Sequence, residues 1–256
     1  MKSVMVTIQK GGQGKTMLSV HLAVYAASKG LKVLFLDLDM QGNSSWTLQK
    51  HATGITSSAF CHNAFDQIPV PVDNIALVTG DDGMADADDW DKVAVLKDYS
   101  DALNRCSEHF DLCVIDTPPT LGFAQSVTGM LVDYVTAPVT MDWYSIQGLL
   151  KLRTIISNLI AKNPKLTMLG VIPNCFDGRK PRLKENYKHV KEMLGDEILP
   201  FIIPMRDSIS EALADPDMRS VWSSQKTASR PAKKILSNLC DFLLERMGFH
   251  VTNKDN

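Results

Sequence analysis

The chain has 256 residues, 45% of them hydrophobic, and 27 basic against 29 acidic side chains give a formal net charge of −2. That is enough apolar material for one large core, with no compositional break that argues for two, so residues 1–256 read as a single domain. General basicity is excluded, no apolar run approaches the ~18 residues of a membrane span, and no signal-peptide pattern precedes the first strand, so a cytoplasmic protein is expected.

Val4, Val6 and Ile8 alternate as in a strand, and a helix is expected from Thr16 to Lys29, with Leu18, Leu22, Ala23, Ala26 and Ala27 at helical spacing and Gly30 as its stop. Between them stands Lys10-Gly11-Gly12-Gln13-Gly14-Lys15-Thr16. Strand, glycine-rich loop and helix N-terminus in this order make a phosphate cradle: glycines let backbone N–H groups close around phosphates, Lys15 reaches the β and γ oxygens, and the Thr16 hydroxyl holds Mg²⁺. The nucleotide set is Gly11, Gly12, Gln13, Gly14, Lys15, Thr16 and Met17. The standard pattern would have glycine at position 9, where Gln9 stands, and Lys10 is surplus to the cradle.

Val33-Leu34-Phe35-Leu36 reads as a buried strand delivering Asp37 and Asp39 to its C-terminal end, which in an open parallel sheet faces the ligand crevice. Both carboxylates are therefore expected beside the phosphates. Residues 53–101 show weak periodicity and an acidic run (Asp81, Asp82, Asp86, Asp88, Asp89, Asp91), which reads as a solvated insertion, as a partner-binding face or as a negative shield against DNA. Leu112-Cys113-Val114-Ile115 is a further apolar strand ending in Asp116, an acid placed to hold the water shell of Mg²⁺.

Val135–Val139 and Met168–Pro173 read as core strands, Ile198–Pro204 as a short one, and Tyr144–Ala161 as a helix. Strands alternating with helices give an α/β fold: a mostly parallel twisted sheet with helices on both faces. Asn174, just past a strand, has the paired donor and acceptor that match adenine, and is equally ordinary turn chemistry. Basic residues gather at Arg179, Lys180, Arg182 and Lys184, and again at Lys226, Arg230, Lys233 and Lys234. On one shared face they would attract a phosphate backbone without reading sequence; the alternative is a solvated helical face. The apolar stripe from Ala232 to Met247 closes the core or lies on a membrane, and Asp241 and Glu245 on its polar side favour the core.

These motifs resemble the ParA, Soj and MinD ATPases of the deviant Walker A family, over nearly the whole length. The resemblance is carried by Lys10 to Thr16, Asp37-Leu38-Asp39-Met40-Gln41-Gly42-Asn43, Asp116-Thr117-Pro118-Pro119, Tyr144-Ser145-Ile146-Gln147-Gly148 and Glu211-Ala212, and within the family it is strongest to the short plasmid-partition proteins of the IncC kind. It implies an ATPase with a catalytic set of Lys10, Lys15 and Asp39. Lys10 would reach across a dimer to the partner's nucleotide and Asp39 would position the attacking water. Thr16 and Asp116, with Asp37, would form the Mg²⁺ site. It further implies a homodimer with ATP that binds nonspecific DNA on the nucleoid, hydrolyses ATP slowly and is stimulated by a ParB-like centromere-binding protein, with no separate N-terminal DNA-binding domain. A MinD-like membrane-associated positioning ATPase is the alternative. Gln13 and Met40 depart from the family's usual Val or Ile and Pro. Five scattered cysteines without a C-x-x-C pair read as reduced thiols, not as ligands of an iron–sulfur cluster.

Overall fold

The computed structural model describes residues 1–120, 122–222 and 229–250. Seven strands form one sheet in the order β3-β4-β2-β5-β1-β6-β7, where β1 is Lys2–Val6, β2 Val33–Asp37, β3 Ala52–Thr56, β4 Ile75–Thr79, β5 Leu112–Asp116, β6 Tyr134–Thr140 and β7 Thr167–Asn174. Every pairing within it is parallel. Such a sheet is covered on both faces, so its strands are apolar on both. Met5, Leu34 and Leu36 join one core, while Val4, Val6, Val33 and Phe35 join the other.

One face is covered by α1 (Lys15–Ser28), α8 (Asp207–Leu213), α9 (Arg219–Trp222) and α10 (Arg230–Arg246). The other carries α3 (Ser57–Cys61), α4 (Lys92–Cys106), α5 (Phe123–Leu131), α6 (Trp143–Lys162) and α7 (Pro181–Leu194), while the short α2 (Asn43–Thr47) follows β2. Helix α1 is buried almost all round, the condition of a helix enclosed between a sheet and a second helix. Two polar contacts fix it: the Tyr25 hydroxyl donates to Asp241 of α10 at 2.6 Å, and Trp222 Nε1 donates to His21 Nδ1 at 2.9 Å. Leu236, Leu239, Leu243 and Leu244 of α10 are fully buried, so its stripe belongs to the core.

Two expectations need correction. Residues 53–101 are not an insertion: they supply β3, β4, α3 and most of α4, and β4 lies directly against β2, with Leu77 opposite Phe35. Three acids of that segment serve the backbone. Asp81 accepts from Ser58 N and Gly83 N, Asp91 caps α4 through Val93 N and Ala94 N, and Asp88 accepts from Phe123 N. Residues 198–204 form no strand. They run extended along β7 with two isolated bridges, Val171 to Ile198 and Phe176 to Pro204, because Pro200 and Pro204 have no N–H to continue a ladder.

Leu77→Ala is expected to cost about 2–5 kcal/mol of stability, the range for a fully buried leucine. Urea unfolding measures it; a cost near zero would restore the reading of a solvated insertion.

Candidate functional site

Register builds the site. Val6, Asp37 and Asp116 are paired across β1, β5 and β2, so three strands end level at the C-terminal edge. On the other side Val6 pairs with Thr136, and β6 and β7 run on together to the pair Thr140–Asn174. Four further residues of strand are a rise of about 13 Å. The loop between β1 and α1 thus has the two acids on one flank and a wall of β6 and β7 on the other.

The loop is fastened to that wall through Gln13. Its side-chain Oε1 accepts from Thr140 N at 2.9 Å and lies 3.0 Å from Thr140 Oγ1, while its backbone carbonyl accepts from Asn174 Nδ2 at 2.7 Å. A Val or Ile at position 13 could make the backbone contact but not the side-chain one. Asn174 is 2% exposed and lines the cleft, and its amide is committed to the loop. The structure therefore assigns it a clamping contact; the adenine contact is a separate matter. Gly14 next in the chain has φ +93°, and a Cβ there would collide with Asn174 Nδ2. Gly12 also has positive φ, +72°, but faces open space.

Beyond the loop is a cleft of ≈480 Å³, lined by Gly11, Gly12, Gly14, Lys15, Thr16, Met17, Asp39 and Asn174, among others. That volume suits a small-molecule ligand. Helix α1 begins at Lys15 with no side-chain cap and no acid in its first turn, so its free N–H groups point at an anion site. Lys15 is 7% exposed; burial lowers its pKa, and the charges of Asp116 and Asp39 oppose that shift.

The acids separate into different tasks. Asp39 lines the cleft, and one of its oxygens accepts from Gln41 N at 3.0 Å. Asp37 is fully buried and does not line the cleft; it accepts from Ser45 N (2.8 Å), Ser45 Oγ (2.6 Å) and Asp39 N (3.1 Å), and burial raises its pKa. It shapes the 39–45 turn from below. Unlike Asp39, Asp37 does not line the cleft, and Ser45 and the Asp39 amide donate to its oxygens. Asp116 is 1% exposed, and burial, then the Asp37 charge beside it, pushes its pKa to about 7. Its Oδ1 accepts from Ser19 Oγ at 3.3 Å, while its buried Oδ2 has no partner among the described residues. A buried acceptor left open beside a phosphate cradle fits a hydrated divalent cation.

Lys10 stands outside the cradle. Its ammonium contacts Asp142 Oδ1 at 3.0 Å and Ser145 Oγ at 2.9 Å, at the start of α6. Among the described residues the cysteines are free thiols, four of them buried and Cys175 exposed at the cleft.

An AAA domain model matches residues 1–168. The chain is 37% identical to Protein IncC of Escherichia coli over 252 residues, which is 96% of this chain and 70% of that protein. The chain belongs to the ParA/Soj/MinD-type ATPases. It is also 28% identical to the chromosome-partitioning ATPase Soj of Thermus thermophilus, over 80% of this chain and 81% of that one. Two solved structures share the fold of this ParA-type ATPase: an ATP complex of a McdA variant from Cyanothece (TM-score 0.80, 21% identity, 99% of both chains) and the cell division ATPase MinD of Pyrococcus furiosus (TM-score 0.74, 20% identity, 96% of this chain and 99% of that one).

Helix α7, with Arg182 and Lys184, roots in one core and α10, with Arg230, Lys233 and Lys234, in the other, on opposite sides of the sheet. Arg179 is paired with Asp177 at 2.9 Å, Lys180 is exposed, and Lys226 lies outside the described residues. Sequence reasoning missed Thr140 and Asp142. The signal for Asp142 was there: an acid three residues before Ser145 at the head of an apolar helix is an N-cap pattern.

Gly12→Ala carries only the strain of a left-handed alanine, about 1–2 kcal/mol. Gly14→Ala carries that strain and the collision with Asn174, so it is expected to lose more affinity for a fluorescent nucleotide; equal losses would contradict the clamp.

Proposed function

We propose that the protein is an ATP-dependent dimerising switch for DNA partition, binding nonspecific DNA as an ATP dimer and hydrolysing ATP slowly until a ParB-like partner stimulates it. The observation that carries this reading is the unlike placement of two lysines in one loop. Lys15 is buried at the cleft wall, whereas the Lys10 side chain is 41% exposed and touches none of the cradle. A lysine so placed serves a nucleotide other than its own.

Lys15 and the amides of residues 11–16 bind the phosphates, and Met17 closes the floor of the cleft. Thr16 and Asp116 would hold Mg²⁺, with Asp37 aligning the turn beneath, and the ion supplies charge neutralisation at the phosphate oxygens. Asp39 lines the cleft without a cation partner among the described residues, free to orient the attacking water. The partner subunit's Lys10 adds positive charge as the γ-phosphate departs, which suits phosphoryl transfer, a reaction catalysed by positioning and charge.

DNA contact is supported by Lys180, Arg182, Lys184 and Arg230, which are exposed and in no ion pair among the described residues. A dimer would double these contacts, which suits association on the nucleoid. A MinD-like membrane role has less support, because the apolar stripe of α10 is buried.

Lys15→Ala is expected to abolish nucleotide binding and Asp39→Ala to trap an ATP dimer. Lys10→Ala is expected to bind ATP yet lose dimerisation and phosphate release; normal turnover in that variant would sink the reading. Arg182→Ala is expected to reduce the slope of log DNA affinity against log salt by about 1, the loss of one phosphate contact. An unchanged slope with unchanged affinity would remove α7 from the DNA surface, and ATP-dependent sedimentation with liposomes instead of retention on DNA would favour the membrane role.

A further inference from the structure

Lys10 is held in its own subunit by a built cluster, not by a chance surface pair. Asp142 Oδ1 and Ser145 Oγ receive its ammonium, and Ser145 Oγ in turn donates to Asp142 Oδ2 at 2.6 Å. Thr140 Oγ1 donates to the same oxygen at 2.5 Å, and Ser145 N caps onto Oδ1 at 3.0 Å. Burial pushes the Asp142 carboxyl up, but the hydrogen bonds from Ser145, Thr140 and Lys10 outweigh it and hold the group well below the usual carboxylate range. Thr140 is also the residue that fastens Gln13, so the clasp on Lys10 and the clasp on the phosphate loop share one strand end.

We propose that Asp142, with Ser145 and Thr140, is a positioning residue that stores Lys10 in cis and must release it before the lysine can enter a partner's site. This rests on the trans role of Lys10 given above. The store is shallow. Both side chains of the pair are 41% exposed, and half-exposed pairs of this kind bias an equilibrium by about fivefold at most. Two lysines are released per dimer, so the bias on dimerisation is the square of the single one. Such a store biases the chain toward the monomer without sealing Lys10 away from ATP-driven assembly.

The test uses the full chain with ATP and Mg²⁺, and reads the monomer–dimer equilibrium by sedimentation. Asp142→Asn keeps an N-cap acceptor for α6 and removes the charge. It is expected to lower the dimer dissociation constant about two- to thirtyfold, with monomer affinity for ATP unchanged because Asp142 does not line the cleft. Raising salt is expected to narrow the gap between wild type and variant. Ser145→Ala, which leaves the carboxylate in place, is expected to shift the equilibrium the same way by less. In a Lys10→Ala background, which does not dimerise, Asp142→Asn is expected to restore no dimer, whereas a general effect on α6 would strengthen dimerisation there too. The proposal is overturned if Asp142→Asn leaves dimerisation unchanged or weakens it while Lys10→Ala remains defective, or if its effect persists without Lys10. If Lys10→Ala itself dimerises and turns over normally, the trans reading falls and this one with it.

Discussion

The site depends on a mismatch of strand lengths. β1, β2 and β5 stop level at Val6, Asp37 and Asp116, while β6 and β7 continue to Thr140 and Asn174. Because β6 and β7 overrun the level of the two acids, the loop can be hydrogen-bonded along one flank by a strand wall and left open to solvent and ligand on the other. Gln13 makes that use of the wall at both its carbonyl and its side chain. A loop held this way keeps its left-handed glycines in place before any phosphate arrives, which is the preorganisation that electrostatic catalysis needs.

The same edge concentrates charge with little water. Lys15, Asp37 and Asp116 are all nearly inaccessible, and the two acids are neighbours on adjacent strands. Burial and the neighbouring Asp37 charge make a second negative charge there expensive, which is why Asp116 is pushed to about 7. Asp37 avoids the conflict by taking three hydrogen bonds from the 39–45 turn. A cation at Asp116 would favour the charged carboxylate.

Much of this was legible in the residues. The loop, α1, β2, β5 and both acids follow from local pattern, since apolar runs ending in aspartate and a glycine loop before a helix are signals within a few residues of one another. What failed was non-local. Residues 75–78 are a four-residue apolar run that sequence alone did not raise above the acidic stretch after it, and only its pairing with β2 shows that it is core. Asp81, Asp88 and Asp91 looked like solvated charge because a carboxylate bonding a backbone N–H is indistinguishable in sequence from one bonding water. Asp37 and Asp39 share a motif and a charge, and only burial tells that one shapes the turn and the other faces the cleft.

The central claim is that Lys10 acts on the other subunit's nucleotide, and mixed dimers test it most directly. Lys10→Ala and Asp39→Ala proteins, each defective alone, are combined and phosphate release is followed, with cross-linking to verify that mixed dimers form. If Lys10 acts in trans, the Lys10→Ala subunit keeps its own Asp39 and receives the lysine of its partner, so one complete site per mixed dimer is restored and turnover returns. If mixed dimers form and turnover stays at the level of the separate variants, Lys10 does not work across the interface and the account is wrong.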